Sequence, residues 1–159
     1  MKTMKKVLFA VLIFTLLLAM PASAKAKVKS YKASKVTAKQ IAKELKKTLP
    51  VTNVVVISKK NKEYTDIFNH PNLYKSKVNF YDKKYKKIYC TVEVFRNKYD
   101  AATRVAEIRA LDYIYGTLDI AVDIPIQTFR YKNVVIRLNH DMPTSYAKKY
   151  YKALKKIVK

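Results

Sequence analysis

Residues 88–116, IYCTVEVFRNKYDAATRVAEIRALDYIYG, change period once, and that change decides the fold. Ile88, Cys90, Val92 and Val94 alternate with Tyr89, Thr91, Glu93 and Phe95, the pattern of a strand with one apolar face. Ala101, Val105, Ile108, Leu111 and Ile114 then recur at three- and four-residue steps, as on the buried stripe of a helix. Asn97 suits the N-cap, Asp100 puts negative charge in the first turn, and Gly116 is expected to stop the helix after Tyr115. The rest of the chain reads as material packed against this strand–helix unit.

Working back toward the N-terminus, residues 82–87 form a lysine-rich turn and residues 77–81 a strand with Val78 and Phe80 on one face. Together with the strand at 88–95 they predict an antiparallel hairpin. Residues 53–58, NVVVIS, are β-branched and apolar on both faces, which predicts a central strand. Thr37 and Gln40 make a capping box, with Val36 and Ile41 as its hydrophobic staple. The helix they open carries Ala38, Ile41, Ala42, Leu45 and Leu49 on one stripe and ends at Pro50.

Working forward from Gly116, Leu118, Ile120, Val122 and Ile124 alternate with Asp119, Ala121 and Asp123, giving a strand or an extended connection. Residues 126–131 and 133–138 read as two strands across a tight turn at Lys132 and Asn133. A last helix starts near Thr144 beside Pro143, with Ala147, Tyr150, Leu154 and Ile157 as its stripe and Tyr151 and Val158 flanking. Hairpins separated by helices predict an α+β single domain: a mostly antiparallel sheet, covered on one face by about three helices.

The first 24 residues stand apart. Lys2, Lys5 and Lys6 precede an apolar run over residues 7–20, followed by Pro21 and the small residues Ala22, Ser23 and Ala24. That is the form of a signal peptide cleaved after Ala24; the run is short for a membrane span of about 20 residues. Residues 25–36 are expected to be a basic tether and residues 37–159 the domain. The formal net charge is +23, and residues 1–24 hold three lysines and no acid, so the remaining 135 residues carry +20. Only Arg96, Arg104, Arg109, Arg130 and Arg137 are arginines. A field made of lysine supplies diffuse attraction to polyanions rather than base reading, so nucleic acid ranks behind anionic cell-wall polymer or a membrane surface. Cys90 is the sole cysteine, which rules out an intramolecular disulfide, and its place on the inward set of a strand predicts a buried small hydrophobe.

Catalytic patterns are lacking. Ser58, Ser76 and Ser145 lie in no nucleophile elbow, and Glu107, Asp112, Asp119 and Asp123 are each expected to be paired on a basic surface that holds their pKa down. His70, His140 and Cys90 have no metal-ligand spacing, and His140 with Asp141 is expected to cap the last helix. No cofactor or metal is called for. The aperiodic loop ending at residue 77 gathers Asp66, Asn69, His70, Pro71, Asn72, Tyr74 and Lys77, and is a candidate partner-binding site or a set of local turns. The thirteen tyrosines cluster at Tyr81, Tyr85 and Tyr89 and at Tyr146, Tyr150 and Tyr151, interleaved with lysine. They either stack on sugars and grip polyanions, with Tyr85 and Tyr89 the candidates, or pack the core rim.

Several blocks carry a resemblance: residues 66–74 (DIFNHPNLY), 76–80 (SKVNF) and 92–95 (VEVF) with Asp100, Ala101 and Arg104, then 133–138 (NVVIRL) and Ala147, Tyr150, Ala153 and Leu154. Over about residues 37–157 the chain resembles an uncharacterised group of small exported proteins and lipoproteins of Gram-positive bacteria. Asn69, Cys90 and Lys132 stand where that pattern has glycine, and the group's usual lipobox cysteine is replaced here by Lys25. The resemblance implies export and transfers no catalytic residue. Residues and resemblance together predict a secreted, strongly basic, non-enzymatic binding module at the cell envelope. The alternatives are an inhibitor or immunity-type protein that binds a partner enzyme and, behind it, an envelope hydrolase.

Overall fold

A computed structural model of the chain describes residues 27–58, 73–117 and 127–159. In chain order these hold α1 (Ala38–Leu45), β1 (Val51–Ile57), β2 (Tyr74–Asp82), β3 (Cys90–Phe95), α2 (Lys98–Thr117), β4 (Gln127–Tyr131), β5 (Val134–Leu138) and α3 (Thr144–Ile157). The five strands make one antiparallel sheet in the order β1-β2-β3-β5-β4, and three helices pack on it. The chain is an α+β single domain. Residues 1–24 and the alternating stretch 118–124 lie outside the described residues.

Local chemistry places the elements. Gln40 N donates to Thr37 Oγ1 at 3.3 Å and Thr37 N donates to Gln40 Oε1 at 2.9 Å, so the capping box closes as expected. The helix itself ends at Leu45; Leu49 is reached by a looser turn in which its N–H donates to the Leu45 carbonyl. Asn97 Oδ1 accepts from the N–H groups of Tyr99 and Asp100 and starts α2, which runs through Gly116 to Thr117 rather than stopping at Tyr115. The last helix buries Ala147, Tyr150, Leu154 and Ile157. It is not capped by His140 and Asp141: Pro143 stands at the N-cap, its carbonyl accepting from Tyr146 and Ala147, and the two side chains pair with each other at 3.1 Å.

The sheet is covered on both faces, not one. Val78, Phe80, Cys90, Val92, Val94, Val134, Ile136 and Leu138 point to the side where α1 and α3 lie, and make one dry core with them. The second face is covered at β3, β4 and β5 by α2, through Tyr74, Phe95, Ala101, Ile108 and Val135. A strand with charged residues on its alternate face looks one-sided in sequence, because pairing across the sheet is what makes such a face burial-competent.

β1 is an edge strand, not a central one. Among the described residues it pairs only with β2, and Val54, Val55 and Val56 are 36%, 52% and 51% exposed. Apolarity on both faces suits a central strand, but the interior positions are taken by β2, β3 and β5, the last returning from β4 to pair with β3. Asn53, at φ 47°, lies where the β1–β2 register shifts between Thr52 and Val55, a bulge that bends the edge.

The segment expected as a tether is docked. Tyr31 forms a parallel bridge with Val158, its N–H donating to the Ile157 carbonyl at 2.7 Å, and Lys159 N returns a bond to the Tyr31 carbonyl at 2.8 Å. Val28, Tyr31 and Ala33 pack on the main core, Val36 is fully buried, and Lys29 N donates to Glu44 Oε2 at 2.7 Å. Apolar residues at 28, 31, 33 and 36 among five intervening polar or charged ones gave enough surface to hold the strip.

Candidate functional site

Polar side chains on the second face converge on one carboxylate. Glu93 lies mid-strand on β3 between Val92 and Val94, so alternation turns it away from the main core and beneath α2. It is fully buried. Lys77, its register partner on β2, brings Nζ to 3.9 Å from Oε1; Arg137 on β5 brings Nη2 to 3.3 Å from the same oxygen; and Arg104, from α2, holds Nε 3.5 Å from Oε2. Arg104 Nη1 also meets the exposed Glu107 at 3.2 Å. Thr91 Oγ1 donates to Asn79 Oδ1 at 3.2 Å in the adjoining row.

Burial pushes the Glu93 carboxyl up, but Arg137, Arg104 and Lys77 outweigh it and hold the group below its ordinary value. A carboxylate kept ionised in this way supplies no general acid near neutrality. Asp112 departs from expectation: burial raises its pKa, with Arg137 opposing, so a basic surface does not hold every acid down. Cys90 is buried in the main core with its thiol pushed up to about 12, chiefly by burial, and is chemically quiet. Among the described residues no three His, Cys, Asp or Glu side chains gather where they could hold a metal ion. The Ser76 hydroxyl accepts from Ala38 N at 2.9 Å, a structural tie between β2 and α1.

Of the sequence-derived candidates, Asp66, Asn69, His70 and Pro71 lie outside the described residues. Tyr74 and Lys77 are brought together, with Lys77 Nζ 5.6 Å from the Tyr74 ring centroid, but both are buried. Lys77 thus faces the Glu93 cluster rather than a partner. Tyr85 is half-buried and packs against Tyr146 with ring centroids 5.2 Å apart and planes tilted by 59°, around a separate hub: Asp82 Oδ2 accepts from Tyr150 Oη at 2.6 Å and Tyr146 Oη at 3.0 Å, while Oδ1 accepts from Lys84 N and Tyr85 N. Tyr89 is half-buried. Lysine ammonium groups lie 4.9–5.7 Å over the rings of Tyr31, Tyr85, Tyr99, Tyr131, Tyr146 and Tyr151. Tyr31, Tyr85, Tyr131, Tyr146 and Tyr151 are partly buried against the main core, whereas Tyr99 is 70% exposed.

Sequence reasoning passed over Glu93, Arg104 and Arg137. The signal was present in part: Glu93 is the one charge in β3 and Arg137 the one charge in β5, opposite in sign on neighbouring strands, whereas Lys77 lies in a β2 that also carries Lys75 and Asp82.

The outer surface has the opposite character to the interior. Every described lysine except Lys77 is exposed, whereas Glu44, Asp82 and Glu93 are buried against partners of their own. An open cleft of about 510 Å³ at the β1–β2 end adds Lys83 and Lys86 beside Thr52, Asn53 and Tyr81. No described helix is long and apolar enough to cross a membrane. No family model matches the chain, and no curated protein or solved structure matches it either.

Proposed function

We propose that this protein is a secreted, non-enzymatic binding module that electrostatic attraction holds to anionic polymer or membrane surface at a Gram-positive cell envelope. The observation that carries the reading is the sorting of charge. Glu44, Asp82 and Glu93 are withdrawn into the interior, while the described lysines other than Lys77 stand in solvent, so the formal +20 of residues 25–159 is carried largely on the surface. Exposed lysines on a rigid scaffold sum into a field that concentrates polyanions without selecting a sequence or a stereochemistry. The signal-peptide form of residues 1–24 supports an extracellular address. Sedimentation of the mature protein with purified cell walls tests the reading: retention should fall steeply with salt and with removal of teichoic acid. Retention indifferent to both would end it.

A separate observation favours protein binding of the inhibitor or immunity type. The edge strand β1 carries no charge and exposes Val54, Val55 and Val56 in a chain that is otherwise heavily charged. That reading predicts one stoichiometric partner retained at high salt and lost on Val55→Lys substitution.

A further inference from the structure

The cationic surface is not uniform. On α2 the charges mix: Lys98, Arg104 and Arg109 alternate with Asp100, Glu107 and Asp112. On the other side of the sheet α1 and α3 touch one another and turn their apolar stripes into the same core. One spacing repeats: Lys39 and Lys43 on α1 with Lys46 and Lys47 just past its end, at i, i+4, i+7 and i+8, then Lys148, Lys152, Lys155 and Lys156 on α3 at the same steps. Neither helix offers an exposed acid, because α3 has none and the single acid of α1, Glu44, is buried with Lys47 at 2.7 Å. Lys149 and Lys155 lie over the rings of Tyr146 and Tyr151. Lys148, Lys152 and Lys156 form a row at four-residue steps, each rising about 6 Å along the axis and turning about 40° around it.

We infer that the α1–α3 layer is the docking face for a linear polyphosphodiester, which lies along the rows Lys148–Lys152–Lys156 and Lys39–Lys43. This rests on the polyanion reading above and assigns it a place and a ligand class. A row of ammonium groups suits a chain of phosphates because each successive phosphate meets a further lysine and releases its own counterion. A bilayer is the poorer occupant. Ala147, Tyr150, Leu154 and Ile157 are all fully buried in the core, so α3 has no apolar stripe left to insert among lipids.

The test compares the mature protein with two variants of equal charge loss: Lys148→Gln/Lys152→Gln/Lys156→Gln on α3, and Lys83→Gln/Lys86→Gln/Lys87→Gln at the β2–β3 turn. Binding to synthetic poly(glycerol phosphate) is measured across a salt series, beside vesicles of phosphatidylglycerol in phosphatidylcholine. The α3 variant should bind the polymer on the order of 10–100-fold more weakly, with a log–log salt slope shallower by about 2, since each lost contact removes about 0.7. The turn variant should stay within about threefold of the parent. Equal weakening of both variants overturns the assignment of the face while leaving the polyanion reading intact. Vesicle binding without polymer binding overturns the ligand class. A parent protein that binds neither at low salt removes the underlying reading itself.

Discussion

Lys77 Nζ lies 3.9 Å from Glu93 Oε1, the two residues facing each other in register across β2 and β3 with side-chain exposures of 7% and 0%. Around that pair Arg104 and Arg137 close a cluster of three cations on one carboxylate, and it ties α2 to the second face of the sheet. Removing the shared acid leaves like charges buried together.

Glu93→Gln should therefore destabilise the fold by about 3–5 kcal/mol, the range for breaking a buried ion pair from one side. Urea denaturation followed by circular dichroism reads it. Loss below about 1 kcal/mol would mean that solvent screens the cluster.

The same group predicts an acid limb. With its folded pKa below the ordinary 4.5, Glu93 stabilises the fold fully above the unfolded value, and that contribution is lost as pH falls through the folded one. Glu44 adds in the same sense: burial raises it, while Lys47 and the Lys29 N–H bring it lower overall. The urea midpoint should hold from neutral to about pH 5 and then drop, and Glu93→Gln should lose much of the drop. Asp112 has the opposite sign, since its raised pKa gives stability present at low pH and lost as pH rises through the folded value. Asp112→Asn should thus raise the midpoint slightly at pH 7, by well under about 1 kcal/mol at a partly exposed site, and leave it unchanged near pH 3.

Tyr150→Phe should cost about 1.5–3 kcal/mol, because it deletes a 2.6 Å hydrogen bond to the buried Asp82 carboxylate. Tyr146→Phe should cost less, as its 3.0 Å bond is partly exposed. In an alkaline titration by absorbance Tyr146 should ionise late, at about 12, raised mainly by burial and then by its bond to Asp82, and Tyr150 later still. Equal costs for the two substitutions would show that burial does not grade the Asp82 hub.

Lys132 sits at φ 53° in the two-residue turn between β4 and β5, a left-handed position that a side chain makes costly. Lys132→Gly should stabilise the fold by about 1 kcal/mol, read as a higher urea midpoint with an unchanged m-value. A loss of stability would mean that the Lys132–Tyr131 ring contact, at 5.7 Å, outweighs the backbone strain.

Features set by near neighbours were legible in the chain. The alternation at residues 88–95, the capping box at Thr37 and Gln40, the stripe of α3 and the β4–β5 turn all depend on residues within a few positions of one another. The Glu93 cluster was not read because its members are 16, 11 and 44 positions from the carboxylate. Only the registers of β2 with β3 and of β3 with β5, and the packing of α2, bring them together.

By itself the sequence determined the class of fold, most element positions and the excess of cations, since periodicity, capping and charge are local or additive properties. Tertiary structure alone decided that β1 is an edge, that residues 28–36 dock beside the C-terminus, and that α2 covers the second face. It also decided that the lysines of α1 and α3 share one side. Each of these turns on which distant segments exclude water from one another, and the chain resolves that competition only when all of its apolar surfaces are buried at once.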